Sequence, residues 1–260
     1  MEMTKEDIRR LAYARGLLEN PGLAARLTNI VGMPFERAVS YLPAKWTDVI
    51  QSITRRSLQY ALDAAIKTLA PGEKKSSRDA FHKFLVAASG GVGGAFGLPA
   101  LAVELPVTTV IIFRSIADIA RSEGEKVQTV ETKLACLEVF ALGGSLNKDN
   151  AAESGYYAVK ALLAKQVSEA AKYIVEKGLA EEGAPVLVRL IGTIASRFGT
   201  TVSQKAAASA VPVIGAAGGA LINSIFMDHF QNMARGHFIM RSLERKYGTK
   251  MTELKYLEIN

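Results

Sequence analysis

Two stretches of small and apolar residues constrain the fold of this chain more than any other feature. The first, 92–124, reads VGGAFGLPALAVELPVTTVIIFRSIADIARSEG, and the second, 211–248, reads VPVIGAAGGALINSIFMDHFQNMARGHFIMRSLERKYG. Each opens on glycine and alanine, passes through an apolar run, and leaves through Arg-Ser-Ile or Arg-Ser-Leu to a closing glycine. Glycine and alanine let helix backbones approach closely, so the two stretches are expected to pack on each other at the centre. No alternating apolar–polar pattern of strand length occurs, and apolar residues recur at helical spacing. The expected fold class is all-α, a single helical domain of about eight to ten helices around two Gly/Ala-rich central hairpin-like segments.

Local signals divide the chain into helices. Thr4 and Asp7 form a capping box for a helix to Glu19, and Asn20-Pro21-Gly22 breaks it. Pro34 opens a short helix with Phe35, Ala38, Val39 and Leu42 on one face. After Pro43 a long stripe runs through Trp46, Ile50, Ile53, Ala61, Leu62, Ile66 and Leu69 to Pro71-Gly72. Ser76 and Asp79 can cap the helix that follows. Pro99 begins a helix that Pro106 should kink and Gly124 should stop. Further helices are expected over Thr129–Leu142, over the Ala-rich stretch from Tyr156, and over Pro185–Lys205, where Arg189 and Arg197 interrupt the apolar run. Residues 1–42 read as an N-terminal helical extension, 43–248 as the main helical domain and 249–260 as a C-terminal tail.

Composition narrows the function classes. The 260 residues are 49% hydrophobic and 22% charged, with a net charge of +7 that favours anionic partners. The basic residues are dispersed, aromatics make up only 7%, and no helix-turn-helix or zinc-finger pattern occurs, so nucleic acid is not an expected partner. The single cysteine, Cys136, leaves no intramolecular disulfide or Cys-based zinc site, and in LACLEVFAL it reads as a buried thiol. The charged start MEMTKEDIRR leads into an amphipathic pattern rather than a signal core, which points to the cytoplasm. The glycine-rich SGGVGGAFGLP lacks the Lys-Ser/Thr end of a P-loop and a preceding strand, so no nucleotide cofactor is expected.

A window within Phe84–Phe113, a run free of lysine and arginine, and the window Ala206–Phe226 sit at the hydropathy threshold of a membrane span. Glu104 lies inside the first, and a charge at the bilayer centre costs about 2.5–3.5 kcal/mol. Pro99 and Pro106 lie close by, the second window is bulked with alanine and glycine, and basic residues flank both windows on both sides. A folded domain touching the membrane is expected, with a helical hairpin inserted in the bilayer as the alternative.

Polar residues within the apolar stretches are the candidates for a site: Glu104, Arg114, Asp118, Asn223, Asp228, His229, His237, Arg241 and Glu244. A buried charge must be paired. Arg114 with Asp118 and His237 with Arg241 are four residues apart, and Arg241 reaches Glu244 at three. Glu104 has no opposite charge within a turn, so its partner must come from another helix, with Arg241 or His237 expected. One reading is a polar network fixing the register of the two central helices. The other is an acid/base site with Glu104 and His237 as the catalytic pair. Its metal-dependent version takes His237, Glu104, Asp228 and Glu244 as N/O ligands, although no HExxH or HxH spacing occurs and no metal is expected.

Three motifs carry a family resemblance: ELPVTTVIIFRSIADIA (104–120), SGYYAVKALLA (154–164), and VPVIGAAGGALIN followed by ARGHFIMRSLERKYG. Across residues 45–248 the chain resembles the EcsC family of bacterial proteins. Gly236 beside His237 and Phe238 is the most specific point, since amphipathicity does not explain a glycine there. The resemblance implies an all-helical, membrane-associated protein and singles out Glu104, Pro106, Arg114, Asn223, Gly236, His237, Arg241 and Glu244 without giving them a role. The expected function is a non-enzymatic, peripheral protein of the cytoplasmic membrane face that binds lipid or a membrane-protein partner, such as a membrane-transport protein. The alternative is a hydrolase or lyase with a Glu104/His237/Arg241 site in an apolar pocket.

Overall fold

A computed structural model of the chain describes residues 2–19, 23–32, 35–40, 42–43, 45–68, 82–83, 86, 98–142, 155–177, 184–211 and 215–259. Among the described residues there are ten α-helices and no strands, a single all-α domain. In chain order they are α1 (Lys5–Glu19), α2 (Leu23–Val31), α3 (Phe35–Val39), α4 (Trp46–Thr68) and α5 (Leu101–Ser122). Then follow α6 (Val130–Leu142), α7 (Tyr156–Lys177), α8 (Pro185–Ser209), α9 (Gly215–Tyr247) and α10 (Thr249–Glu258). The breaks expected at Asn20-Pro21-Gly22 and Pro71-Gly72, the Ser76/Asp79 cap and most of the glycine-rich stretch lie outside the described residues.

Where a boundary depends on neighbours within one turn, the sequence signal and the structure coincide. The Asp7 amide donates to Thr4 Oγ1 at 3.2 Å, and that hydroxyl donates to Asp7 Oδ2 at 2.8 Å. Gly124, at φ +89°, takes the left-handed conformation that ends α5, and its amide donates to the Arg121 carbonyl at 3.0 Å. Pro185 stands in the first turn of α8, where its missing N–H costs nothing. Pro106 lies inside α5, which runs on through it to Ser122.

The two Gly/Ala-rich stretches do pack on each other, as α5 against α9. They run parallel: Glu104 meets Asn223, Ser115 meets Gln231 and Glu125 meets Arg241, so both helices advance together. The most enclosed element is a different one. Every residue of α6 from Thr132 to Ala141 is buried, with α8, α7, α5, α9 and α4 around it. A helix apolar on all sides belongs in the interior, and LACLEVFAL carries that signal. Phe140 of α6, Phe198 of α8, and Phe226 and Phe230 of α9 form the aromatic centre, with ring centroids 4.9 Å apart for Phe140–Phe198 and 5.1 Å for Phe226–Phe230.

The N-terminal helix α1 packs along α9, and α10 closes over both. Asp7 ties these ends together by accepting from Lys246 Nζ at 2.7 Å and from the Tyr247 hydroxyl at 2.6 Å. These donors, together with Thr4, hold the Asp7 carboxyl well below the usual carboxylate range.

No helix among the described residues is long and apolar enough to cross a membrane. The Ala206–Phe226 window is divided between the end of α8 at Ser209 and the start of α9 at Gly215. In the Phe84–Phe113 window, a 3₁₀ turn at Leu98–Ala100 precedes α5.

Candidate functional site

The polar residues of the apolar helices gather in two separate clusters. The first lies where α5 begins, α8 ends and α9 begins. Lys205 Nζ donates to Glu104 Oε1 at 2.6 Å, and Asn223 Nδ2 donates to the same oxygen at 2.7 Å. Thr108 Oγ1 lies 3.3 Å from it. Asn223 Nδ2 also reaches the Val86 carbonyl at 3.0 Å, which ties a fourth segment to the group. Lys205 is 1% exposed, and its ammonium stands 5.0 Å over the Phe226 ring. Burial lowers the proton affinity of Lys205, while the Glu104 carboxylate opposes that loss.

The second cluster lies toward the C-terminal half of α9, among α6, α7 and the α5–α6 turn. His237 is buried, with Nδ1 3.1 Å from the Tyr156 hydroxyl and Nε2 3.7 Å from Glu138 Oε2, beyond hydrogen-bond reach. Arg241 Nε donates to Glu125 Oε1 at 3.0 Å, and Arg245 joins the same oxygen. Lys160 donates to Glu244, and its ammonium lies 5.9 Å from the Tyr156 ring. Burial pushes the Glu138 carboxyl up to about 7, against the pull of Arg241 and Lys160. Burial, then Arg241 and Lys160, push His237 well below its ordinary 6.5. Burial alone would raise Glu125, but Arg241 and Arg245 hold it below its ordinary value. At neutral pH His237 is thus uncharged and faces a Glu138 carboxyl that titrates close to neutrality, between two stronger ion pairs.

The expected partner of Glu104 is corrected by this arrangement. Glu104 takes Lys205 and Asn223, not Arg241 or His237. His237 is fourteen residues beyond Asn223 on one helix, about 21 Å along its axis, and the parallel packing of α5 and α9 puts it far past Glu104. The Glu104/His237/Arg241 site of the enzyme reading is therefore not assembled. The metal set falls with it: Asp228 is held by Lys83 at 3.0 Å and Arg26 at 3.3 Å, and Glu244 by Lys160. Among the described residues no three His, Cys, Asp or Glu side chains group as metal ligands do.

The remaining candidates are placed singly. Asp118 is held by Arg121 at 2.8 Å and His82 at 2.9 Å, and Arg114, its expected partner, is exposed. Arg241 turns to Glu125 rather than Glu244, though it stays close enough to His237 to disfavour its protonation. His229 is buried with its ring edge-on to Phe230 at 5.2 Å. Cys136 is buried and free, and burial pushes its thiol up. Lys205 and Glu138, the two residues on which the clusters turn, were not among the candidates. Both carried a readable signal, a lone charge inside an apolar run in SQKAAASA and LACLEVFAL.

Replacing Glu138 by glutamine tests the charge state of the second cluster. Glu138 binds a proton on folding between its ordinary 4.5 and about 7, so its stabilising share is lost as pH rises through that range. Glutamine keeps the neutral form at every pH. Glu138→Gln is expected to melt higher than the parent, by a few degrees. The gap should open between about pH 4.5 and about pH 7 and stay constant above. Thermal melts across that range check it, and a variant destabilised equally at every pH would mean that Glu138 is ionised in the fold.

A model of the EcsC protein family matches residues 6–243. The match begins well ahead of residue 45, where the motif resemblance starts, and takes in α1 and α2. No curated protein and no solved structure matches the chain.

Proposed function

We propose that this chain, which belongs to the EcsC protein family, is a non-enzymatic, peripheral protein of the cytoplasmic membrane face that binds lipid. The observation that carries the reading is an apolar surface at one end of the bundle. Glu104, Lys205 and Asn223 draw the start of α5, the end of α8 and the start of α9 together. At that end Val103 is 76% exposed, Val107 53% and Leu221 47%. Single exposed apolar residues are ordinary. Val103 and Val107, one turn apart, share one face of α5, and Leu221 is exposed near the start of α9; exposed apolar surface of this kind meets a partner or a bilayer. The net charge of +7 supports an anionic surface, where each nearby basic residue adds about 1 kcal/mol.

Vesicle flotation of the purified full chain, with and without anionic lipid, tests the reading. Co-flotation that is stronger with anionic lipid is expected, and no flotation with either vesicle refutes it. Flotation only with vesicles that carry native membrane proteins would move the reading to a protein partner.

A further inference from the structure

The membrane reading, on which this inference rests, does not say which face docks or which headgroup it meets. Val103, Val107, Val110 and Arg114 fall at i, i+4, i+7 and i+11, so they share one face of α5. Val103, Val107 and Arg114 are exposed and Val110 is half-buried, whereas Leu105, Thr109, Ile112, Phe113 and Ile116 are buried on the core side. From Val103 to Arg114 the row is about 16 Å long.

The charge along this row is Arg114's own. Glu104, next to Val103, is turned inward to Lys205 and Asn223, and Asp118, one turn past Arg114, is held by Arg121 and His82. Three β-branched apolar residues ending in an exposed guanidinium have no use for a water-facing helix. They match an interfacial helix, whose apolar row enters the headgroup–acyl boundary while its cation stays among the phosphates. A guanidinium can hold two phosphate oxygens at once. We infer that this face of α5 is the membrane-docking surface and that it selects anionic phospholipid through Arg114.

The test uses the full chain with vesicles of phosphatidylcholine alone and of phosphatidylcholine mixed with phosphatidylglycerol. The double variant Val103→Asp, Val107→Asp is expected to reduce binding to the mixed vesicles by about tenfold or more. Arg114→Glu should reduce binding to the mixed vesicles by about tenfold while leaving any binding to phosphatidylcholine unchanged. Val175→Asp, on the exposed side of α7, should bind as the parent does. The milder pair Val103→Ser, Val107→Ser reads out the same face should the aspartates disturb folding, which thermal melts will show. If the parent floats and both valine variants float equally well, the docking face is wrong although the membrane reading stands. If Arg114→Glu keeps the parent's preference for anionic vesicles, the headgroup assignment is wrong. If the parent floats with neither vesicle, the membrane reading itself has failed and the inference falls with it.

Discussion

Glu104→Ala is expected to destabilise the fold by about 3–5 kcal/mol, the cost of leaving a buried ion without its partner. Lys205 is enclosed, and Glu104 is the counter-charge its ammonium reaches, at 2.6 Å. The contact with the Phe226 ring offsets only part of the loss, since a cation–π pair contributes about 0.5–2 kcal/mol. In a chain of this size the loss amounts to a fall in Tm of roughly 10 °C. Two accompanying results separate the buried charge from lost packing. Burial already lowers the proton affinity of Lys205, so the unfolded chain binds the extra proton and stability should rise with pH as Lys205 becomes neutral. Glu104→Ala should therefore recover in part near pH 10. The pair Glu104→Gln, Lys205→Met, which removes both charges and keeps the volume, should melt close to the parent. A single variant that melts within about 2 °C of the parent at neutral pH would mean that the ion pair does not hold α5, α8 and α9 together.

The second large effect concerns Gly236. A glycine in the middle of a helix costs about 1 kcal/mol against alanine, so its presence in α9 needs a reason from outside the helix. A Cβ at this position would lie 2.7 Å from Leu18 Cγ and 3.0 Å from the Ala14 carbonyl oxygen, both on α1. One of these is a backbone atom and the other a branch point, so neither gives way cheaply. Gly236→Val is expected to cost roughly 3 kcal/mol, the upper end for overpacking, and to lift α1 from α9. Loss of amide protection over residues 5–19 would be the direct sign, ahead of the fall in Tm. Protection of α1 equal to the parent's would show that α9 tolerates the side chain and that the close approach is not what the glycine serves. The same contact explains the most specific point of the family motif: Gly236 is where two helices meet at backbone distance, and the helix runs straight through it.

The elements of the fold were legible because their causes are local. Thr4 with Asp7, Gly124 and Pro185 act through hydrogen bonds and dihedral angles within one turn, and α6 could be recognised as interior from its all-round apolar run. The candidate site was legible only in part. Asn223, His237, Arg241 and Glu244 are all embedded in polar clusters, as a charge or amide inside an apolar helix requires. Their partners lie on other segments of the chain, beyond the reach of spacing along one helix, and Lys205 and Glu138 carry the same signal as lone charges in shorter apolar runs.

By itself the sequence determined that the chain is helical, where most helices begin and end, and that charges inside apolar runs must find company. Only the tertiary structure decided the company, because partner choice depends on the direction and offset with which helices lie together. Parallel packing of α5 and α9 sets Glu104 beside Asn223 and within reach of Lys205, and carries His237 about 21 Å away along the helix, toward Glu138. No spacing along the sequence encodes that offset; it is read only from the contacts of Glu104 with Asn223, Ser115 with Gln231 and Glu125 with Arg241.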